Sequence, residues 1–262
     1  MSLTADQRLA GPLLKLNRAK FHIENLRATL EQFIATNPYR TITKHDPETG
    51  YVTHYLERAD PIPATCSVLV GDALNNLRSA LDHLAQQFYL VGSGATTESF
   101  KISYPIFEDV TSYNEGAGGK VIGMRQEAID FISATKPYHG GNDLLWQIHK
   151  LNIIDKHRTL LTVIGIHWAK QVDITSFIRA AQAAGGTLRT QFTLQFHNAI
   201  GPTKEGDVVL SFKGEANQHV RHTFGVALHE PPIVENRPVV SLLTEFADTV
   251  DGILNRARPL LG

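Results

Sequence analysis

The chain has 262 residues, of which 42% are hydrophobic and 19% are charged, with 25 Lys and Arg against 26 Asp and Glu. This composition is sufficient for a buried core and excludes disordered and fibrous classes. The formal net charge of −1 excludes a protein that coats nucleic acid or anionic membrane, although a local basic site is compatible with it. The single cysteine, Cys66, excludes an intramolecular disulfide and a multi-cysteine zinc site.

The N-terminal residues alternate charges with leucines and lack the apolar block of a signal peptide. Apolar residues nowhere form a run of about 18, the length that a membrane span requires. We therefore expect a cytoplasmic protein that does not cross a membrane.

Apolar residues spaced by threes and fours predict three long helices. They cover residues 5–36, residues 65–90, and a segment that starts at Asn142 or Asp143 and runs to about Val163. Residues 40–44 and 51–56 are rich in Thr, Tyr and Val and predict a β-hairpin. The glycines at positions 116, 118 and 119 indicate a loop before a short helix at about 124–134.

The character of the sequence changes near residue 165. Residues 188–196, 208–213 and 222–229 predict strands, and residues 239–258 predict a last amphipathic helix. The expected fold class is α+β. A helical bundle at 1–164 would carry the hairpin at about 39–57, and a β-rich portion at 165–262 would pack on it through its final helix.

The second predicted helix carries an unusual polar face. Its apolar seam alternates by four and three and is typical of a bundle helix; the members are Val70, Leu74, Leu77, Leu81, Leu84 and Phe88. The other side holds Asn, Ser, Asp, His and Gln rather than the Lys and Glu that are usual on solvated helices. Two interpretations stay open, a solvent-facing surface and a face covered by another element or a second subunit.

The third predicted helix carries an apolar stripe that ends in charge. Leu144, Ile148 and Leu151 make the stripe, which continues onto Asp155 and Arg158. Burying these charges costs several kcal/mol per ion unless each is paired. Asp155 could pair with Arg158 or reach Arg78 on the neighbouring helix, so either a structural or a functional role is open to it.

Two short stretches carry a family resemblance. The residues from Arg78 to His83 read Arg-Ser-Ala-Leu-Asp-His, which resembles the R-x4-6-H pattern of the HEPN superfamily of helical-bundle proteins. Residues 75–84 and 152–158 also resemble the two signature stretches of a broad group of uncharacterised bacterial proteins. Many HEPN proteins are metal-independent endoribonucleases, so the resemblance implies a HEPN-like bundle, RNA as a partner and a homodimer in bacterial stress or defence.

The resemblance also implies a chemistry, in which the ribose 2′-hydroxyl attacks the adjacent phosphorus without a metal. His83 would move the proton because its ordinary pKa is near neutrality, and Arg78 would hold the phosphate oxygens. Asn76 and Asp82 would orient His83 or the substrate. Additional positive charge for the RNA backbone would come from Lys156, His157 and Arg158.

Other interpretations remain beside this one. Arg78 could pair with Asp82, one turn further on, and have only a structural role. A metal-dependent hydrolase would need ligands from His83, His149, Asp155 or His157, but His149 and His157 are two turns, about 12 Å, apart. Because HExxH, P-loop and GxSxG motifs are missing from the sequence, we expect neither a metal nor a cofactor.

The last alternative is a non-catalytic binding or sensing module. In that case the β-rich portion would bind a ligand or a protein partner. This hypothesis predicts a pocket lined by strands between residues 188 and 229 and remote from the second and third long helices.

Overall fold

A computed structural model describes residues 3–157, 160–172, 194–196, 204–213 and 220–262. The fold is α+β, as the sequence predicts. The described helices are α1 (Ala5–Ala35), α2 (Ala64–Ser93), α3 (Val110–Gly116), α4 (Gln126–Ala134), α5 (Asp143–His157) and α6 (Val239–Ala257). The strands are β1 (Tyr39–His45), β2 (Tyr51–Ala59), β3 (Val163–Val172), β4 (Leu194–Phe196), β5 (Val208–Lys213), β6 (Val220–Glu230) and β7 (Val234–Pro238).

Helix α1 begins at a capping box. The hydroxyl of Thr4 accepts a hydrogen bond from the amide of Gln7, and the Gln7 side chain accepts one from the amide of Thr4. The helix ends where Asn37 adopts a left-handed backbone with φ of 53°. Asparagine is one of the few residues that enter this region readily, and the turn directs the chain into β1.

Helix α2 confirms the predicted seam, since Val70, Leu74, Leu81 and Phe88 are at most 1% exposed. None of the residues from 73 to 90 is exposed. The polar side of α2 is therefore partly covered by the rest of the chain, which favours the second of the two interpretations above.

Two antiparallel sheets accompany the bundle. One has the strand order β1-β2-β5-β4, so the predicted hairpin pairs with strands from the C-terminal part of the chain. The other has the order β3-β6-β7. The apolar face of α6 lies in one core with α1, α2 and α5, and Val226, Leu228 and Val234 from the second sheet join that core.

Helix α5 is shorter than predicted. Its last residue is His157, and Val163, the predicted end of the helix, is the first residue of β3. Val163 and Ile164 are β-branched, and nine residues of β3 pair along β6, so sheet pairing determines the local structure. An apolar run of this kind fits either element by pattern alone.

Two further differences concern short elements. Residues 110–116, which precede the predicted glycine loop, form α3, and Asp109 caps this helix through the amide of Ser112. Strand β7 was not predicted. Residues 188–193 of the first predicted C-terminal strand lie outside the described residues.

Within the described ranges, no helix combines the length and the apolar character that crossing a membrane would require.

Candidate functional site

Arg78 lies inside the fold. It is 8% exposed, and its Nη2 donates to the carbonyl oxygen of Tyr104 at 2.8 Å. The same nitrogen is 2.9 Å from Oδ1 of Asp82, one turn further along α2. That carboxylate oxygen also accepts from the amide of Tyr104 at 2.9 Å. Arg78 and Asp82 therefore form a closed set of contacts with the backbone of Tyr104.

Gln86 extends this arrangement by another turn. Its Nε2 donates to the carbonyl oxygens of Ser99 and Ile102, and its Oε1 accepts from the amide of Ser99. Arg78, Asp82 and Gln86, here called the polar stripe, are spaced by four along α2. Because each of them contacts the backbone between residues 99 and 104, the polar stripe holds that segment against the helix.

His83 faces a different element from Arg78. A Cβ atom built on Gly11 of α1 would be 3.3 Å from Nδ1 of His83, so the imidazole lies beside that glycine. His83 is half-buried there. The two residues of the R-x4-H pattern therefore contact different parts of the chain, Arg78 the segment that contains Tyr104 and His83 the N-terminal part of α1.

Asn76 belongs to neither of these environments. Its side-chain nitrogen donates to the carbonyl oxygen of Asp72, one turn back on α2. The Asp72 carboxylate lies 3.8 Å from Nδ1 of His22 on α1. Burial lowers the pKa of His22, while Asp72 acts in the opposite direction. The geometry therefore places Asn76 beside Asp72 rather than beside His83.

Asp155 packs against α2 at Gly71. A methyl group at position 71 would overlap the Asp155 carboxylate, so the absence of a side chain allows α5 to approach α2 at this point. Burial raises the pKa of Asp155, the nearby Asp72 raises it further, and Lys156 opposes this. Among the described residues, Asp155 makes no ion pair with Arg78, whose carboxylate partner is Asp82.

His149 is the histidine of α5 that lies near Arg78. Burial, with Arg78 as the next cause, lowers the pKa of His149 to about 4. The imidazole is therefore neutral at neutral pH. Its Nδ1 and Nη1 of Arg78 are both buried without a hydrogen-bond partner in the described part of the chain.

Lys156 is exposed on α5, and two other predicted side chains lie outside the described residues. Arg158 lies outside the described residues, and of His157 only the backbone is described, as the last residue of α5. Among the residues that the structure describes, no group of three or more His, Cys, Asp or Glu side chains could hold a metal ion.

A groove runs along the C-terminal half of α1, and its larger part is a cavity of about 530 Å³. This cavity, called the apolar lobe, is lined almost wholly by apolar atoms. Its walls include Leu30, Ile34 and Ala35 of α1, Val226 of β6, and Val239 and Val240 of α6. Arg27 and Glu31, one turn apart on α1, also border it.

A second cavity, of about 460 Å³, adjoins the first. Ile34 lines both cavities, and the β6 residues that line them are consecutive, 222–224 in one and 225–226 in the other. The second cavity, called the polar lobe, includes Asn37, Thr41 and Thr223 among its walls. The two lobes are therefore neighbouring concavities, together called the groove, with an apolar end and a hydrogen-bonding end.

Aromatic contacts build the wall of the polar lobe. The ring of Tyr39 stacks on Phe224 with centroids 4.8 Å apart and meets Phe33 edge-on at 6.1 Å. Its burial raises the pKa of Tyr39 to about 12. Beside it, Nε2 of His222 and Nδ1 of His54 are 3.0 Å apart, which joins the two sheets. These contacts connect α1, β1, β2 and β6 around the groove.

No family model matches this chain, and neither the curated proteins nor the solved structures give a significant match. Function is therefore inferred from the geometry of the chain itself.

The groove contains residues that the sequence reasoning did not single out. Ile34, Thr41 and Thr223 are ordinary members of amphipathic elements, and α1 and β6 are separated by nearly the whole chain. The available signal was the alternation of His222, Phe224 and Val226, which indicates that these residues share one face of a strand.

Proposed function

We propose that this chain is a binding module that takes a small, largely apolar ligand in the groove between α1 and β6. The observation that carries the proposal is the lining of the two lobes. Among the described residues it comes from α1, β1, β6, α6 and the residues adjoining them, and includes none from α2 or α5. The binding-module hypothesis expected a pocket lined by strands between residues 188 and 229 and remote from the second and third long helices. Of that range, residues 222–226 line the groove.

The size and character of the groove support this function. Small-molecule sites are typically concave spaces of about 300–1,000 Å³ with mostly apolar walls and a few polar groups. The apolar lobe falls in that range at about 530 Å³. Ile34 is 37% exposed and lines both lobes, so a ligand would cover apolar surface that water now contacts.

The contacts of Arg78 in the polar stripe also favour a binding role over the ribonuclease function. The Arg78 guanidinium is 8% exposed and is held by Tyr104 and Asp82. To contact an RNA phosphate it would have to leave both partners, and breaking a buried ion pair costs about 3–5 kcal/mol. The ribonuclease function, its RNA partner and the homodimer stay predictions.

A fluorescent probe tests the proposed function directly. N-phenyl-1-naphthylamine is uncharged and apolar, and its emission rises when it leaves water. We expect saturable binding at one site per chain. Ala35→Trp, which adds a large side chain to the exposed edge of the apolar lobe, should weaken this binding by at least about tenfold.

The matched control is Ala10→Trp, an exposed alanine on the same helix that does not line the groove. It should bind the probe as the wild type does. The proposal is wrong if the wild type shows no saturable binding, or if both variants bind equally well.

A further inference from the structure

Resting on that binding role, we infer that the natural ligand is an uncharged amphipathic molecule. Its hydrocarbon body would occupy the apolar lobe, and its head group would form hydrogen bonds in the polar lobe. Ile34 borders both lobes and consecutive residues of β6 line them, so a molecule that passes over Ile34 would occupy both.

The hydrogen-bonding capacity of the polar lobe comes from side chains near the end of α1. Thr41 on β1 lines it, and so does the exposed Asn37. Thr41 is half-buried, and its hydroxyl is not bonded within the part of the chain that the structure describes. A hydroxyl both donates and accepts, which suits an alcohol, ester or amide head group.

The charges around the groove argue against an ionic ligand. Among the described residues that line the polar lobe there is no Lys, Arg, Asp or Glu, so a charged head group would be desolvated there without a counter-ion from this part of the chain. At the apolar lobe, Arg27 is the one cationic side chain among the described lining residues. Its Nε donates to Glu24 at 3.2 Å, so its charge is already paired. Glu31 borders the apolar lobe and not the polar lobe, where a cationic head group would lie.

The size of the apolar lobe limits the length of the ligand's hydrocarbon body. At the packing density of protein interiors, about 530 Å³ holds on the order of 20 non-hydrogen atoms. A ten-carbon chain therefore fits within it and leaves its head group free to reach the polar lobe.

A series of decyl compounds tests the inference. We would displace N-phenyl-1-naphthylamine from the full-length chain with 1-decanol, decanoate or decylammonium at pH 7.5, each below its solubility limit and micelle threshold. We expect 1-decanol to bind at least about tenfold more tightly than either ion, because the ions lose hydration without gaining a partner. Thr41→Val should weaken the binding of 1-decanol by about 3- to 10-fold, while the affinity for the probe is unchanged.

The control for this variant is Thr53→Val on β2, a half-buried threonine outside the lining, which should leave 1-decanol binding unchanged. If the probe binds saturably but an ion displaces it as well as 1-decanol does, the uncharged ligand is wrong and the binding role stands. If Thr41→Val leaves 1-decanol binding unchanged, the assignment of the head-group site is wrong.

Two results would overturn the binding role itself. One is the absence of saturable probe binding. The other is a dimer that dissociates in the Ile34→Glu variant and that competes with the probe for the groove.

Discussion

Arg78 and His83 are five residues apart on α2, yet they contact opposite neighbours. Arg78 donates to the carbonyl oxygen of Tyr104, whereas His83 lies beside Gly11 of α1. Five residues correspond to about 140° of rotation around a helix, so side chains at this spacing diverge. Within one chain, the two residues that resemble a ribonuclease motif therefore contact two separate elements, Arg78 the segment that contains Tyr104 and His83 helix α1.

Arg78→Ala should destabilise the fold strongly. It would leave the Asp82 carboxylate without its cation and the Tyr104 carbonyl without its donor. The Asp82 side chain is 34% exposed, so the cost should be about 2–4 kcal/mol in the free energy of unfolding. Arg40→Ala is the matched control, because Arg40 pairs with Glu57 at the surface and its side chain is 69% exposed. Urea unfolding should show a loss of at most about 1 kcal/mol for the control. Equal losses for the two variants would contradict a structural role for Arg78.

Stability should fall in mild acid because of His149. Its folded pKa, about 4, lies below the ordinary value of 6.5, so between these values the unfolded chain binds the proton more readily. The stabilising contribution is complete above pH 6.5 and is lost as the pH falls toward 4. At pH 5 the free energy of unfolding should therefore be about 2 kcal/mol lower than it is above pH 6.5.

The measurement for this prediction compares urea unfolding at pH 7.5 and pH 5. His149→Gln should lose less stability between the two values than the wild type does. His45→Gln, a substitution of an exposed histidine, should behave as the wild type. An identical pH dependence in all three proteins would show that His149 does not carry the effect.

Gly71→Ala should weaken the contact between α2 and α5. Alanine favours a helix over glycine by up to about 1 kcal/mol, but its methyl group would overlap the Asp155 carboxylate. We expect a net loss of about 1–3 kcal/mol in the free energy of unfolding. Adding Asp155→Ala should restore most of the loss, because the obstructing carboxylate is removed. Gly118→Ala, where a methyl group meets open space, is the control. Additive effects in the double variant would disprove the proposed overlap.

His83→Ala tests the ribonuclease prediction. With Arg78 held inside the fold, we expect neither the wild type nor this variant to cleave mixed RNA in EDTA, as judged by fragment length. A known metal-independent ribonuclease serves as the positive control. Cleavage by the wild type that disappears in a folded His83→Ala protein would favour catalysis over a pure binding role.

The sequence predicts the long helices because their burial follows a local period. The seam of α2, including Leu74 and Leu81, is fully buried as predicted. The covering of its polar face could not be resolved from sequence, since the partner backbone at residues 99–104 carries no periodic pattern. The closeness of Asp155 to α2 could be anticipated, but the sequence contains no signal that Gly71 is its contact.

The groove was beyond prediction for a related reason. Its two lobes depend on where β6 passes the end of α1, and that placement follows from pairing between strands far apart in the chain. The same pairing shortens α5, because residues 163 and 164 join β3 instead of extending the helix. Local periodicity indicates which face of an element is apolar, whereas long-range pairing decides what that face meets.

The most direct test of the binding role is to map N-phenyl-1-naphthylamine on the ¹⁵N-labelled chain by amide chemical shifts. We predict that the shifted amides cluster at residues 30–41, 222–226 and 239–241, which border the two lobes. The chemical shifts of the amides at residues 78–86, which include the polar stripe, should be unchanged. Shifts centred on Arg78 and His83, or no localised shifts at saturating probe, would contradict the proposed groove.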